Sequence, residues 1–250
     1  DAVRDNLSGS YVLMNDLDAT TAGYVELASE AANAGKGWEP IGIYQQDEVL
    51  DSFNGTFDGQ GYEIRDLFIN RPGENGTGLF LAVEGVVIKN VGIVNARVTG
   101  YMNVGGLAGF NAGNVSSCYC TGDVTGNSSV GGLVGHNTGN ISNSYSSASV
   151  TGGGTGNWFA GGLVGQNTGG IVSNCYSSGN VTGDLLVGGL VGYNEKGGIV
   201  SNSYSNAIVT GADGVGGLVG ANDGSTVRNS YSGSNVTGNL YVGGLVGHNW

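Results

Sequence analysis

The chain has 250 residues, 51 of them glycine and two proline, with 39% hydrophobic residues and a formal net charge of −12. Glycine at about three times its usual share, without a Gly-x-y triplet, excludes collagen, and the regularly placed apolar residues exclude a disordered chain. An acidic chain with no basic cluster is not expected to bind nucleic acid or an anionic membrane, and no apolar run is long enough to span a bilayer.

Asp1 to Leu7 reads as one or two helical turns, with Ala2, Val3 and Leu7 as a small apolar face. Tyr11-Val12-Leu13-Met14 reads as a strand, and Val25 to Ala32 as helix inside a loop. Residues 1–52 are expected to cap the irregular end of a repeat array, because an open end exposes unpaired strand edges. Residues 53–104 read as degenerate opening coils. Phe53 to Gly61 leads into Tyr62 to Asn70, which alternates like a strand on each side of a corner. Gly78-Leu79-Phe80 then stands 28 residues before Gly106-Leu107-Ala108.

From residue 105 to 250 the chain repeats. Gly-Gly-Leu-(Ala/Val)-Gly starts at Gly105, Gly131, Gly161, Gly188, Gly216 and Gly243, in steps of 26, 30, 27, 28 and 27 residues. The fixed columns include Gly106-Leu107, Gly132-Leu133, Gly162-Leu163, Gly189-Leu190, Gly217-Leu218 and Gly244-Leu245. An Asn follows in each unit, then Val or Ile. Next comes Tyr (Tyr119, Tyr145, Tyr176, Tyr204, Tyr231), and then Val-Thr-Gly or its equivalent. A period in this range means stacked supersecondary units. Three short strand candidates per unit predict an all-β fold, a parallel β-solenoid, with neighbouring coils about 4.8 Å apart. Strand twist and crossover chirality favour the right-handed form. Lengths vary after Val-Thr-Gly and between the Asn and the Val/Ile, so these two places are expected to be corners.

Two orientations stay open. Leu133 and Val134 are adjacent, so either a bend at Gly131-Gly132 brings both inside or one apolar ladder faces out; the bend is favoured. Alignment on the Asn corner puts the Ser/Cys column inside and the tyrosines out, whereas alignment on Val-Thr-Gly buries the tyrosines. The buried stack is favoured, since a serine-lined interior buries little apolar area. An exposed tyrosine ladder would be the sugar-binding alternative.

Gly-Gly-Leu-Val-Gly-x-Asn followed by Ile-x-Asn-Ser-Tyr-Ser and Val-Thr-Gly resembles the GLUG motif, whose Gly-Leu-x-Gly core is Gly132-Leu133-Val134-Gly135 here. The resemblance covers roughly residues 77–250. It implies a secreted or surface-anchored prokaryotic protein, since GLUG repeats occur in adhesin-like proteins and beside the protease unit of immunoglobulin A-cleaving metallopeptidases. It transfers no catalytic residue.

The residues themselves offer little chemistry. Cys118 and Cys175 share a column two coils apart, too far for a disulfide, and Cys118 and Cys120 flank one residue of a strand, so all three read as small side chains in tight columns. His136 and His248 stand four coils apart, too distant to share a metal, and neither His-Glu-x-x-His nor a nucleophile elbow with partners occurs. The dense acids are Asp16, Asp18, Asp47, Glu48, Asp51 and Asp58. They read as a solvated cap surface or a structural calcium site, with Asp16, Asp18 and Asp58 as candidate ligands. Eight Asn-x-Ser/Thr sequons, including Asn114, Asn140, Asn180 and Asn235, are mostly the product of composition.

The expected function is a non-catalytic extracellular or cell-surface module of a larger protein, with no cofactor, acting as an adhesive or structural stalk. Its partners would be other domains of the same polypeptide and a surface glycan or protein. The alternative is a carbohydrate-binding or polysaccharide-degrading β-helix that uses a lateral face, with acids among Asp47, Asp51 and Asp58.

Overall fold

A computed structural model describes residues 2–45, 48–154 and 158–250. The chain winds into a parallel β-solenoid of about seven turns with only 5% helix. Each coil crosses three parallel sheets, which we call faces I, II and III. Among the described residues face I has 13 strands, face II has 12 and face III has six. One coil shows the path. Ser128–Gly131 lies on face III, Val134–Asn137 and Asn140–Ser142 on face I, and Tyr145–Ser146 and Ser149–Gly152 on face II. Each segment pairs in parallel with its counterpart one repeat on, as Val134 does with Val164 and Val150 with Val181.

The start of the chain is irregular but already joins the stack. Ala2–Asp5 is a single helical turn, Tyr24–Ala28 a short helix and Ala32–Gly35 a 3-10 turn. Ser10–Val12 pairs in parallel with Thr56–Asp58 and so extends face I. The described strand segments of residues 43–51 form a separate antiparallel pair.

The glycine pair does bend the chain. The face III strand ends at Gly131 and face I begins at Val134, and both Leu133 and Val134 are fully buried. The corner resets the alternation of inside and outside, so two neighbours can both point inward. Gly132 is required by the far wall: a Cβ there would collide with Ser146 Oγ and with the Gly162 carbonyl of the next coil. The interior is thin at this level, and small residues line both sides.

Two expectations about corners are corrected. The variable stretch after Asn137 is a bulge within face I, where the amides of both Thr138 and Gly139 bond the Asn111 carbonyl. The break between Glu63–Arg65 and Phe68–Asn70 likewise lies within face II, since both segments pair with Gly92–Thr99 in one register. The corner from face I to face II falls inside the Ile-x-Asn-Ser-Tyr segment. There Asn143, Asn174, Asn202 and Asn229 take φ values of 49–54°. Asparagine tolerates this left-handed conformation better than most side chains, which is why it recurs at the turn.

The tyrosine expectation is also corrected. Inside lie Cys118, Ser144, Cys175 and Ser203 in one column, and Cys120, Ser146, Ser177 and Ser205 in the next, all buried. The tyrosines point outward. The thin interior has no room for a ring opposite Gly132, and burial comes instead from Val130, Leu133, Val134, Ile141 and Val150 and their counterparts. The inner hydroxyls are satisfied locally, as Ser144 Oγ donates to the Ser142 carbonyl at 2.7 Å and accepts from the Cys118 amide at 3.1 Å.

A third interior column is polar as well. Asn111, Asn137, Asn167, Asn194 and Asn222 each donate from Nδ2 to Oδ1 of the asparagine one coil on, at 2.7–2.8 Å. This amide ladder runs parallel to the solenoid axis and fixes the register between coils.

Candidate functional site

Two lateral surfaces differ from the rest of the solenoid. The first is the tyrosine ribbon on face II. Tyr119, Tyr145, Tyr176, Tyr204 and Tyr231 stack ring on ring, with centroids 4.7–5.1 Å apart and planes within 1–5° of parallel. The ribbon starts where Gly92 leaves space beneath the Tyr119 ring, and there the Tyr119 hydroxyl bonds the Glu63 carboxylate. Partial burial raises the hydroxyl pKa values of Tyr119, Tyr145 and Tyr176, so all three remain protonated at neutral pH. Because the rings stack on one another, their faces are used up. The ribbon offers solvent mostly ring edges and hydroxyls, and only Tyr231 at the end of the stack is itself exposed, at 59%.

The second surface is a groove where face III turns into face I. Its face I wall is the column Phe110, His136, Gln166, Tyr193, Ala221 and His248, in direct register. These residues occupy the x of Gly-Leu-(Ala/Val)-Gly-x-Asn. The glycine just before them lets the walls meet: a Cβ on Gly135 would strike the backbone of Asn103 and Val104. The opposite wall comes from face III, including Met102, Asn103, Ser129 and Phe159. A cavity of about 440 Å³ lies between them, lined also by Tyr101, Asn127 and Trp158. A second cavity of about 200 Å³ shares Trp158 and Phe159 and continues past Leu186 to Tyr241 and His248.

A hydrogen-bond network orients the floor. Gln166 Oε1 accepts from Ser129 Oγ at 3.0 Å, and its Nε2 donates to Glu195 Oε1 at 2.9 Å. Thr168 Oγ1 donates to the same carboxylate oxygen at 3.0 Å and lies 2.9 Å from His136 Nε2. Burial lowers the His136 pKa against the opposing pull of Glu195, so the ring is neutral at pH 7. Phe110 packs edge-on against His136, and Phe159 lies tilted against Tyr193, with centroids 5.1 and 5.0 Å apart.

The acids named from the sequence do not assemble. Asp16 Oδ1 accepts from the Glu63 amide, Asp18 Oδ1 from the Thr20 amide and hydroxyl, and Asp58 Oδ1 from the Gln60 amide and Asn90 Nδ2. Asp58 also pairs with Lys89 at 3.2 Å. Those hydrogen bonds hold the Asp18 and Asp58 carboxyls below the usual range. Among the described residues no three His, Cys, Asp or Glu side chains converge. Asp51 is exposed, whereas Asp47 lies outside the described residues and so does the Glu48 side chain. Cys118, Cys120 and Cys175 are free, and burial pushes each thiol up to about 12, which leaves no thiolate for chemistry.

The groove was not found from the sequence. Its signal was present all the same: one motif position holds five different residue types in six units, aromatic or amide in most of them, while its neighbours hardly change.

Comparison with known proteins rests on the same columns. The GLUG motif matches residues 100–125, 126–151, 156–182 and 183–210. Four GLUG repeats thus lie between residues 100 and 210. Its repeats are similar to halomucin of Haloquadratum walsbyi, with 36% identity over 118 residues. A second relative, from Evansella cellulosilytica, is provisionally named a Gly-rich membrane protein and is 39% identical over 120 residues. These matches cover 47% and 46% of the chain, and span 1% of halomucin and 12% of the second protein. A Bacteroides ovatus structure, provisionally named an immunoglobulin A1 protease, superposes with a TM-score of 0.69 at 23% identity. The overlap covers 94% of this chain and 77% of that one. At that identity the likeness concerns the fold. In this chain, no helix among the described residues is long and apolar enough to cross a membrane.

Proposed function

We propose that this GLUG solenoid is a non-catalytic repeat module of a surface protein, working outside the cell as a stalk with adhesive capacity. One observation carries the reading: coil after coil repeats the same inward columns, while among the described residues no three His, Cys, Asp or Glu side chains converge. Such a stack makes an elongated body whose length scales with repeat number. Catalysis would need acids, bases or nucleophiles brought together, with pKa values tuned to one another. The similarity to halomucin and to a second protein named for the membrane supports a surface location.

The test is a reducing-end assay with neutral and acidic polysaccharides, run with the whole chain. The expected outcome is no release of new ends. Turnover that disappears on changing Asp51 or Asp58 to Asn would reject the stalk and put a polysaccharide-degrading β-helix in its place.

A further inference from the structure

In a repeat array, positions held constant build the stack, and positions released from that duty are free to meet something outside. The tyrosine ribbon is constant. The groove is where the chain varies, on both of its walls. Opposite the Phe110-to-His248 column, the residue before each Val or Ala of the face III column is Asn103, Ser129, Phe159, Leu186, Gly214 or Tyr241. The longest insertion between repeats separates the face II strand ending at Gly152 from the face III strand starting at Ala160, and Trp158 and Phe159, just before that strand, line the cavity. The backbone there is also unusual. Leu186 and Tyr241 have φ of 45° and 47°, a conformation that bulky side chains rarely adopt. Strain of this kind persists where the surrounding structure enforces it, and it gathers at sites of recognition.

We propose that this corner groove binds a neutral polysaccharide, with sugar rings packed on Trp158 and Phe159 and hydroxyls bonded to Asn127, Ser129 and Gln166. The inference rests on the surface-module reading and supplies its adhesive ligand. Three observations select the chemistry. Among the described residues no Asp, Glu, Lys or Arg lines the larger cavity and only Asp213 lines the smaller, so an anionic polymer finds no counter-ion there. Its lining mixes aromatic rings with amides and hydroxyls, the combination that meets both the C–H face and the hydroxyl rim of a pyranose. Asn127 Oδ1 and Trp158 Nε1 are buried atoms with no hydrogen-bond partner among the described residues. One accepts and the other donates, and adjacent sugar hydroxyls can do both. Pairing them removes the cost of two unsatisfied buried groups. The two cavities share Trp158 and Phe159, so the groove runs from coil to coil and suits a chain better than a single sugar.

The test is an array of neutral and anionic glycans probed with the whole chain, followed by calorimetry on the best neutral polysaccharide with and without added salt. Binding should be indifferent to salt. It should fall by roughly tenfold or more in Trp158→Ala, as for loss of one aromatic anchor. Asn127→Ala, with a smaller change in packing, should weaken it too, whereas Tyr176→Ala on the ribbon should leave it unchanged. Circular dichroism melts establish that each variant is folded. Any of four results overturns the proposal: no glycan bound, salt-sensitive binding to anionic glycans alone, neutral binding that survives both groove variants, or the groove occupied by a protein instead. A blank array leaves the stalk reading intact, whereas cleavage of a bound polysaccharide rejects the stalk and spares the groove.

Discussion

Leu190 shows what one side chain contributes to a stacked coil. It is fully buried, with Leu163 and Leu218 in the same column on either side. Leu190→Ala leaves a cavity that the fixed coil spacing keeps from closing, and should cost about 2–5 kcal/mol. Hydrogen exchange should rise first around residues 161–220, because each coil contacts only its neighbours. An unchanged melting temperature would reject the buried column. Asn194 gives a polar counterpart. Its amide accepts from Asn167 and donates to Asn222, both at 2.8 Å. Asn194→Leu keeps the volume but strands a donor on one side and an acceptor on the other. About 1–3 kcal/mol for each stranded group is expected in urea unfolding, against almost nothing if the ladder were dispensable. The asparagine column was plain in the sequence. Its place inside was not, since asparagine is mostly a surface residue and only the continuous ladder makes its burial tolerable.

At the scale of the element, the period, the coil length and the three-sided section were legible because identical residues recur at one spacing. The faces of the strands were not. Alternation tells inside from outside only along an unbroken strand, and here bends at Gly132-Leu133 and Asn143-Ser144 and a bulge after Asn137 reset it within one coil. The tyrosines were therefore expected inside and stand outside. Their stack still contributes to stability. Each parallel pair adds about 0.5–1.5 kcal/mol beyond burial, and Tyr176 takes part in two pairs. Tyr176→Ser should destabilise the chain by about 1–3 kcal/mol and reduce the near-ultraviolet dichroism of the ribbon. A melt like that of the parent chain would mean that the rings align without attracting one another. The groove was harder still to read. Its two walls are far apart in each repeat, and they become one surface only when the corner folds face III against face I.

For the whole molecule, charge separates the two ends. Residues 1–100 carry 15 acidic and 6 basic residues, whereas residues 101–250 carry 5 and 2. The first region is tied together by ion pairs such as Lys36–Glu74 and Lys89–Asp58. The repeats are tied by amides, hydroxyls and apolar columns that do not titrate. Asp18 and Asp58 have folded-state pKa values below the ordinary carboxylate value, because hydrogen bonds from Thr20 to Asp18, and from Gln60 and Asn90 to Asp58, favour the charged form. The unfolded chain therefore takes up protons first as pH falls. The stabilisation these groups give is present above about pH 4, the unfolded value, and is lost as pH drops through the lower folded values. His136 acts in the same direction at higher pH: its pKa is depressed by burial, so its neutral form favours folding above about pH 6.5 and protonation opposes it below. Acid should thus loosen the molecule in order. The groove around His136 should soften first, and His136→Gln should abolish that step. The N-terminal coils should then open below about pH 4, while coils 161–220 keep their protection. Hydrogen exchange followed by mass spectrometry across this range reads both steps. Protection lost in the central repeats together with residues 2–100 would mean that the solenoid unfolds as a single unit, and that the uncharged columns give its centre no separate acid resistance.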